Sequence, residues 1–455
     1  MKMKMGFKTV LALSLCFIIA AAFMSCGGKT SIESIAIKPP NINIGVHTVI
    51  QFLATGSQSN GVIGDVTSQV TWSSSNPAVA TINSSGLLTA VGAGTVTITA
   101  STSGNISAQS TLTVSNPTSQ PFTVGNNPSA IAIDSVGNVW VTNQGDGTVT
   151  ELLYTPPPAG PSWAVNPSGA FKVGKSPSGI AIDGAGNVWV ANQGDGTITE
   201  LNSSGTLVGT YPVGGNPSRI AIDFLGYVWV TMQGGNDNTI IKLSLLSGQP
   251  TFSTFAVGNG VVGDGPNGIA IDSASNVWVT NKGSDTAPGS TVTELNTLGA
   301  LIGNPGVGSE PDSIAIDPYG NVWVTNQGSA AAPGNTITQL NSAGAFLNTF
   351  TFPAGITGPH GIAIDSAGSV WVTVTNDSNV TDINATLPPG TLLELSPTNG
   401  AIDNTFLVGN NPTGIAIDSI NNVWVANSGT NTITVWKSAA TAPQFRLYTG
   451  PVWPF

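Results

Sequence analysis

Residues 127–152, NPSAIAIDSVGNVWVTNQGDGTVTEL, return almost unchanged at 176–201 as SPSGIAIDGAGNVWVANQGDGTITEL. Self-similarity of this kind outweighs any local reading, because each copy is one supersecondary unit. The unit recurs around Asp223, Asp272, Asp317, Asp365 and Asp418. Each of the seven aspartates is followed six positions later by a tryptophan: Trp140, Trp189, Trp229, Trp278, Trp323, Trp371 and Trp424. The tryptophans lie 40 to 53 residues apart, the length of a propeller blade. Alternation of apolar and polar residues divides each unit into four strands, A to D. Strand A is Ile-Ala-Ile-Asp, B is Val-Trp-Val-Thr, C is Thr-Val-Thr-Glu-Leu, and D is an aromatic-rich stretch such as Gly209–Val213. Seven units over residues 121–455 predict seven blades closed in a ring, which removes the open sheet edges that invite aggregation. Pro121–Val124 and Phe445–Tyr448 compete for the last outer strand.

Working outward toward the N-terminus, residues 31–115 carry seven short alternating segments. They are Ile32–Ile37, Val49–Ala54, Val70–Ser73, Val79–Ile82, Leu87–Val91, Thr95–Ala100 and Thr111–Val114. Seven strands in this length predict an Ig-like sandwich with Trp72 between its sheets. The fold class is therefore all-β, a sandwich followed by a propeller. WSSSNPAVATINSSGLLTAVGAGTVTITA, Trp72 to Ala100, resembles the bacterial Ig-like (Big) family, whose members require no disulfide. The blade unit resembles NHL-type repeats and the propeller of the virginiamycin B lyase family.

Residues 1–25 read as a lipoprotein signal peptide: a basic start, an apolar run from Val10 to Phe23, then Met24, Ser25 and Cys26. The run is too short for a comfortable membrane span. By resemblance to the lipoprotein signal, cleavage precedes Cys26 and the cysteine is lipidated, with residues 26–30 as anchor and linker. Cys16 lies in the removed segment, so Cys26 would be the one cysteine of the exported chain. The expected location is the cell envelope, at the outer membrane or the outer face of the cytoplasmic membrane.

Composition excludes one class of partner. Charged residues are only 8% of the chain and the net charge is −11. Nucleic-acid binding needs clustered Lys and Arg that displace phosphate counterions, and the few basic residues here are scattered. No cofactor or metal is expected: the GDG turns Gly145–Gly147 and Gly194–Gly196 lack the carboxylate spacing of a calcium loop. A monomer is the expected state.

The repeated aspartates read as turn caps and the tryptophans as packing between blades. Glu151, Glu200, Glu294 and Glu394 in strand C read as solvated rim residues. His47 reads as a surface residue. Candidate binding residues come instead from positions where the repeat breaks. After the proline that opens strand A stand Ser129, Ser178, Ser218, Asn267, Asp312, His360 and Thr413. Strand B ends in Asn143, Asn192, Met232, Asn281, Asn326, Thr375 by loose alignment, and Asn427. In an antiparallel A–B hairpin both sets fall at one mouth of the ring. B–C insertions at Ser284–Ser290, Ser329–Asn335 and Asn376–Gly390 read as long loops over that mouth, where binding usually sits. The candidate ligand site is thus Arg219, Asn267, Asp312, His360, Asn281 and Asn326, for a glycan, peptide or protein. Resemblance to the lyase through GPHGIAIDSAGSVWVT, 358–373, implies the alternative of lyase chemistry by acid–base side chains and a divalent metal. In this chain His360, with Asp312, would carry it, and Asn stands after Trp-Val-Thr where the lyase repeat often has Glu. A hydrolase using His360 is the other catalytic possibility, although no G-x-S-x-G elbow is present.

Overall fold

A computed structural model describes residues 31–45, 49–115, 118–156, 162–233, 238–245, 249–258, 265–284, 287–329, 332–375 and 390–437. Cys26, His47 and Phe445–Tyr448 lie outside them. Every regular element among the described residues is a β-strand, and none of them forms a helix long and apolar enough to cross a membrane. The chain divides into two compact units at Pro117/Thr118.

The first unit is a sandwich around Phe52, Leu88, Ile98 and Leu112, all fully buried. Gly94–Ser101 shows why it folds: Val96, Ile98 and Ala100 point inward while the intervening threonines face out. Trp72 is buried edge-on to Phe52, and its indole N–H donates to Thr67 O at 3.1 Å. The sequence reading misses two strands, Ile42–Gly45 and Ile63–Asp65. Both are short, and the first pairs in parallel with Ser107–Ser115, Ile42 against Leu112, a partner far along the chain that no local pattern announces.

The second unit is a closed ring of seven four-stranded blades. Blade one shows the plan: Pro128–Ile133 innermost, then Val139–Asn143, Thr148–Thr155, and an outer edge split into Ser162–Val165 and Phe171–Lys172. The other innermost strands are Pro177–Ile182, Pro217–Ile222, Pro266–Ile271, Pro311–Ile316, Pro359–Ile364 and Pro412–Ile417. Each touches its neighbours, the seventh touching the first. Blade seven takes its outer strand from the start of the propeller: Thr118–Thr123 pairs with Thr432–Lys437. Closure therefore comes from the N-terminal of the two competing segments, and the propeller begins at Thr118 rather than 121. Phe122 stacks on Trp424 at 6.0 Å to seat this strand.

Seven separate apolar cores lie between adjacent blades, and a tryptophan enters each one. Trp140 packs with Ile180, Val188 and Val190 of blade two, and Trp424 with Val139 and Val141 of blade one. The Asp-to-Trp spacing of six has a direct cause. Asp418 Oδ1 accepts from the Ile420 and Asn422 amides, and Oδ2 accepts from Asn422 Nδ2 and from the Trp424 indole at 3.1 Å. The same carboxylate-to-indole bond recurs in all seven blades. One side chain thus caps the turn and satisfies a buried N–H that burial would otherwise penalise.

Two insertions are not loops. Val277–Ser284 with Ala287–Leu295, and Val322–Ser329 with Ala332–Leu340, extend the second and third strands into longer hairpin arms. Most of the third insertion, 376–389, lies outside the described residues. Pro359 pairs with Val374, so Val374 and not Thr375 holds the strand-end position in blade six.

Candidate ligand site at the propeller mouth

The innermost strands are bulged just after their opening proline. In blade one the register shifts between Pro128 and Ile131, and the Ala130 amide bonds to Thr142 Oγ1 at 2.9 Å instead of to a carbonyl. Arg219 to Thr231, Gly268 to Thr280, Ser313 to Thr325 and Gly361 to Thr373 repeat the arrangement. In these five blades the Thr of Val-Trp-Val-Thr satisfies the bulged amide; blades two and seven bulge at the same place with Ala191 and Ala426 there, and the bulge re-aims the two residues after the proline. The first of them reaches sideways to the next blade: Ser129 Oγ to Pro177 O, Ser178 Oγ to Pro217 O and Ser218 O, and Thr413 Oγ1 to Pro128 O. The second faces the axis: Ala130, Gly179, Arg219, Gly268, Ser313, Gly361 and Gly414. With His360 and a girdle of seven isoleucines they line an axial cavity of about 200 Å³.

Most of this ring is joinery, and four blades depart from it. Asp312 is buried, and Lys282 Nζ stands 2.7 Å from its Oδ1. Asn267 Nδ2 donates to the same oxygen at 2.8 Å and to Asp312 O at 3.1 Å. Lys282 also donates to Gln327 Oε1 at 2.5 Å. On the other side His360 Nδ1 lies 3.1 Å from Asp312 Oδ2, off the line of a good hydrogen bond, so Oδ2 keeps unfilled acceptor capacity. Arg219 donates one bond, Nη1 to Ser178 O at 2.7 Å. Burial alone would raise the Asp312 pKa, but His360, Lys282 and Arg219 outweigh it and hold the carboxyl below its ordinary range. Burial lowers the His360 pKa, helped by Arg219 and Lys282 and opposed by Asp312. With its pKa lowered the imidazole is neutral at pH 7, and the tautomer that puts the proton on Nδ1, beside the carboxylate, leaves Nε2 as an acceptor.

Of the six candidate residues, Arg219, Asn267, Asp312 and His360 come together. Asn281 and Asn326 do not join them. Both are fully buried within their blades, where Nδ2 donates to Thr291 and Thr293, and to Thr336 and Thr338. The same tie holds Asn143 to Thr148 and Thr150, so these asparagines clamp the second strand to the third. Lys282 was missed. Its signal was available: the residue after the strand-end position is Gln144, Gln193, Gln233 and Gln327 in four blades and Thr375 and Ser428 in two, so Lys282 is the charged residue of that series.

The four strand-C glutamates are a second correction. They are buried, not solvated, because each sits directly across from its blade's tryptophan. Burial pushes Glu294 up to about 7, with Asp272 adding to it. Glu394 rises to about 7 through burial, with Asp365 and Asp403 adding and the Asn404 bond opposing. Burial raises Glu151 and Glu200 as well. Lys242 takes this place in blade three and lies 3.7 Å over the Tyr227 ring. The GDG turns are scaffold: Asp146 accepts from the Asn126 amide and Asp195 from the Lys175 amide. Among the described residues no three His, Cys, Asp or Glu side chains are grouped to hold a metal ion.

Residues 31–114 match the bacterial Ig-like domain (group 2) family. Virginiamycin B lyase from Staphylococcus aureus superposes with a TM-score of 0.56 at 17% identity, over 70% of this chain and 99% of the lyase. A streptogramin B lyase gives 0.57 at 18% identity, over 71% of this chain and 98% of its own. The WD40 propeller of Doa1 gives 0.52 at 12%, over 70% and 95%. At these identities the likeness is one of fold, and propellers host many unrelated activities. A curated relative, ice-binding protein 1 of Shewanella frigidimarina (strain NCIMB 400), is 34% identical over 146 residues, which is 30% of this chain. The chain spans only 16% of that relative's length. Residues 31–114 are thus a bacterial Ig-like module of group 2, and the chain joins it to a propeller with the fold of the virginiamycin B lyases.

Proposed function

We propose that the chain is an exported lipoprotein, anchored through Cys26 in the cell envelope, whose propeller mouth binds a ligand. The observation that carries this reading is where the repeat breaks. In six of seven blades the axis-facing residue is Gly, Ala or Ser; the seventh is Arg219. The other departures, Lys282, Asp312 and His360, fall in the three blades that follow and meet within hydrogen-bond range. Placing buried charges in a scaffold that closes without them costs stability, and a binding site is what such a cost serves. The Ig-like module then acts as a spacer. Two tests apply. The full chain is screened in solution against defined glycans and peptides; a ligand whose binding falls with His360→Ser is expected, and no ligand, or one indifferent to His360, refutes the site. A Cys26→Ala chain that still partitions with membranes refutes the anchor.

Asp312 beside His360 favours a second reading, in which the neutral imidazole acts as a general base through Nε2. Under it, the bound ligand is turned over, and His360→Gln abolishes turnover while leaving binding in place.

A further inference from the structure

Among the described residues the mouth holds one cation, Arg219, with no carboxylate beside it. Lys282 is paired with Asp312 at 2.7 Å, and His360 is neutral. Arg219 has no carboxylate within 4.0 Å among the described residues, and its single bond to Ser178 O leaves four N–H donors without a protein acceptor there. It faces the axial cavity, as do the Ser313 hydroxyl and His360, whose Nε2 has no partner among the described residues. We propose that this cavity takes a small hydroxycarboxylate, of the class of uronic acids, either free or as the end of an acidic glycan; the proposal rests on the mouth being the ligand site.

The chemistry assigns each part. A planar guanidinium matches a carboxylate through two parallel N–H bonds. The His360 Nε2 acceptor calls for a hydroxyl donor beside that carboxylate, and Ser313 offers a second hydroxyl partner. A simple carboxylate satisfies only Arg219, and a neutral sugar only His360 and Ser313. The cavity, about 200 Å³ and open toward the mouth, has room for one sugar-sized group.

The test uses the full chain and four probes: galacturonate, galactose, acetate and tri-galacturonate. Galacturonate binding tighter than galactose and acetate, and weakened roughly 10- to 100-fold in Arg219→Ser, supports the proposal. Arg219→Ser restores the kind of small residue found in the other blades, so its melting temperature is expected to hold or rise. A fall in melting temperature with unchanged galacturonate affinity makes Arg219 structural and overturns the proposal. Tri-galacturonate binding as well as the monomer assigns the glycan end; monomer binding alone assigns the free acid. Galactose binding equally, with Arg219→Ser indifferent, overturns the carboxylate while the mouth remains a binding site. So does failure of all four probes when the wider screen yields a His360-dependent ligand. Only failure of both removes the site itself.

Discussion

Replacing Asp312 by Ser restores the residue that blades one to three carry at this position and removes the carboxylate that pairs with Lys282. What remains is Lys282, 2.7 Å from where the carboxylate stood, and the nearby Arg219, two cations with no other carboxylate within 4.0 Å among the described residues. Breaking a buried pair by removing one partner costs about 3–5 kcal/mol, chiefly because the survivor stays buried and charged. Asn267 keeps its bond to Asp312 O, which any residue supplies, so the loss is electrostatic and not one of chain geometry. The companion change Lys282→Gln restores the repeat at the other end of the pair. The double variant should recover most of the loss, leaving a coupling of about 2–3 kcal/mol, well outside the ~0.5 kcal/mol scatter of independent sites. Equilibrium unfolding followed by tryptophan fluorescence reads all four corners of the cycle. The Asp312 contribution should be complete above its ordinary pKa of 3.8 and fade as the pH falls through the depressed folded value. A single variant losing under about 1 kcal/mol, or a double variant no better than the single, would refute the argument that these charges are buried as a compensated pair.

Asp418→Ala should destabilise the propeller by about 2–4 kcal/mol, since it removes four bonds and strands the buried Trp424 indole; thermal melts with Asp418→Asn as the milder control check it. Glu294 and Glu394 act in the opposite pH sense to Asp312. Their folded pKa of about 7 exceeds the ordinary 4.5, so the fold holds their protons more tightly than the unfolded chain does. Stability should therefore fall as pH rises from 4.5 to 7, by on the order of 1–3 kcal/mol for each, and Glu294→Gln with Glu394→Gln should flatten that slope in melts taken across the window. Deleting Thr118–Thr123 bares the third strand of blade seven and should give concentration-dependent association in sedimentation runs.

Much of this architecture is written in the repeat. The Asp and Trp positions give blade number and turn chemistry, because both depend on neighbours within a few residues. The strand-C glutamates were misread because strand alternation says which face a residue takes but not that a tryptophan lies across it in the next strand. Asn281 and Asn326 lie inside strands that run on to Ser284 and Ser329, and their side chains turn into the blade toward threonines on the third strand. The arms at Val277–Ser284 and Val322–Ser329 read as loops because Gly and Pro interrupt them, while the pairing continues past those residues. Lys282 departs from the repeat in the column beside Asn281, where four blades carry Gln, and only the folded ring brings it to Asp312 of the next blade.

The most direct measurement of the central claim returns the whole mouth to the repeat: Arg219→Ser, Lys282→Gln, Asp312→Ser and His360→Ser in one chain. Blades of this composition already close the rest of the ring, so the variant should fold with undiminished stability. On an array of defined neutral and acidic glycans the native chain should retain a ligand and the restored chain none. Equal retention by both, or a restored chain that no longer folds, would contradict the account.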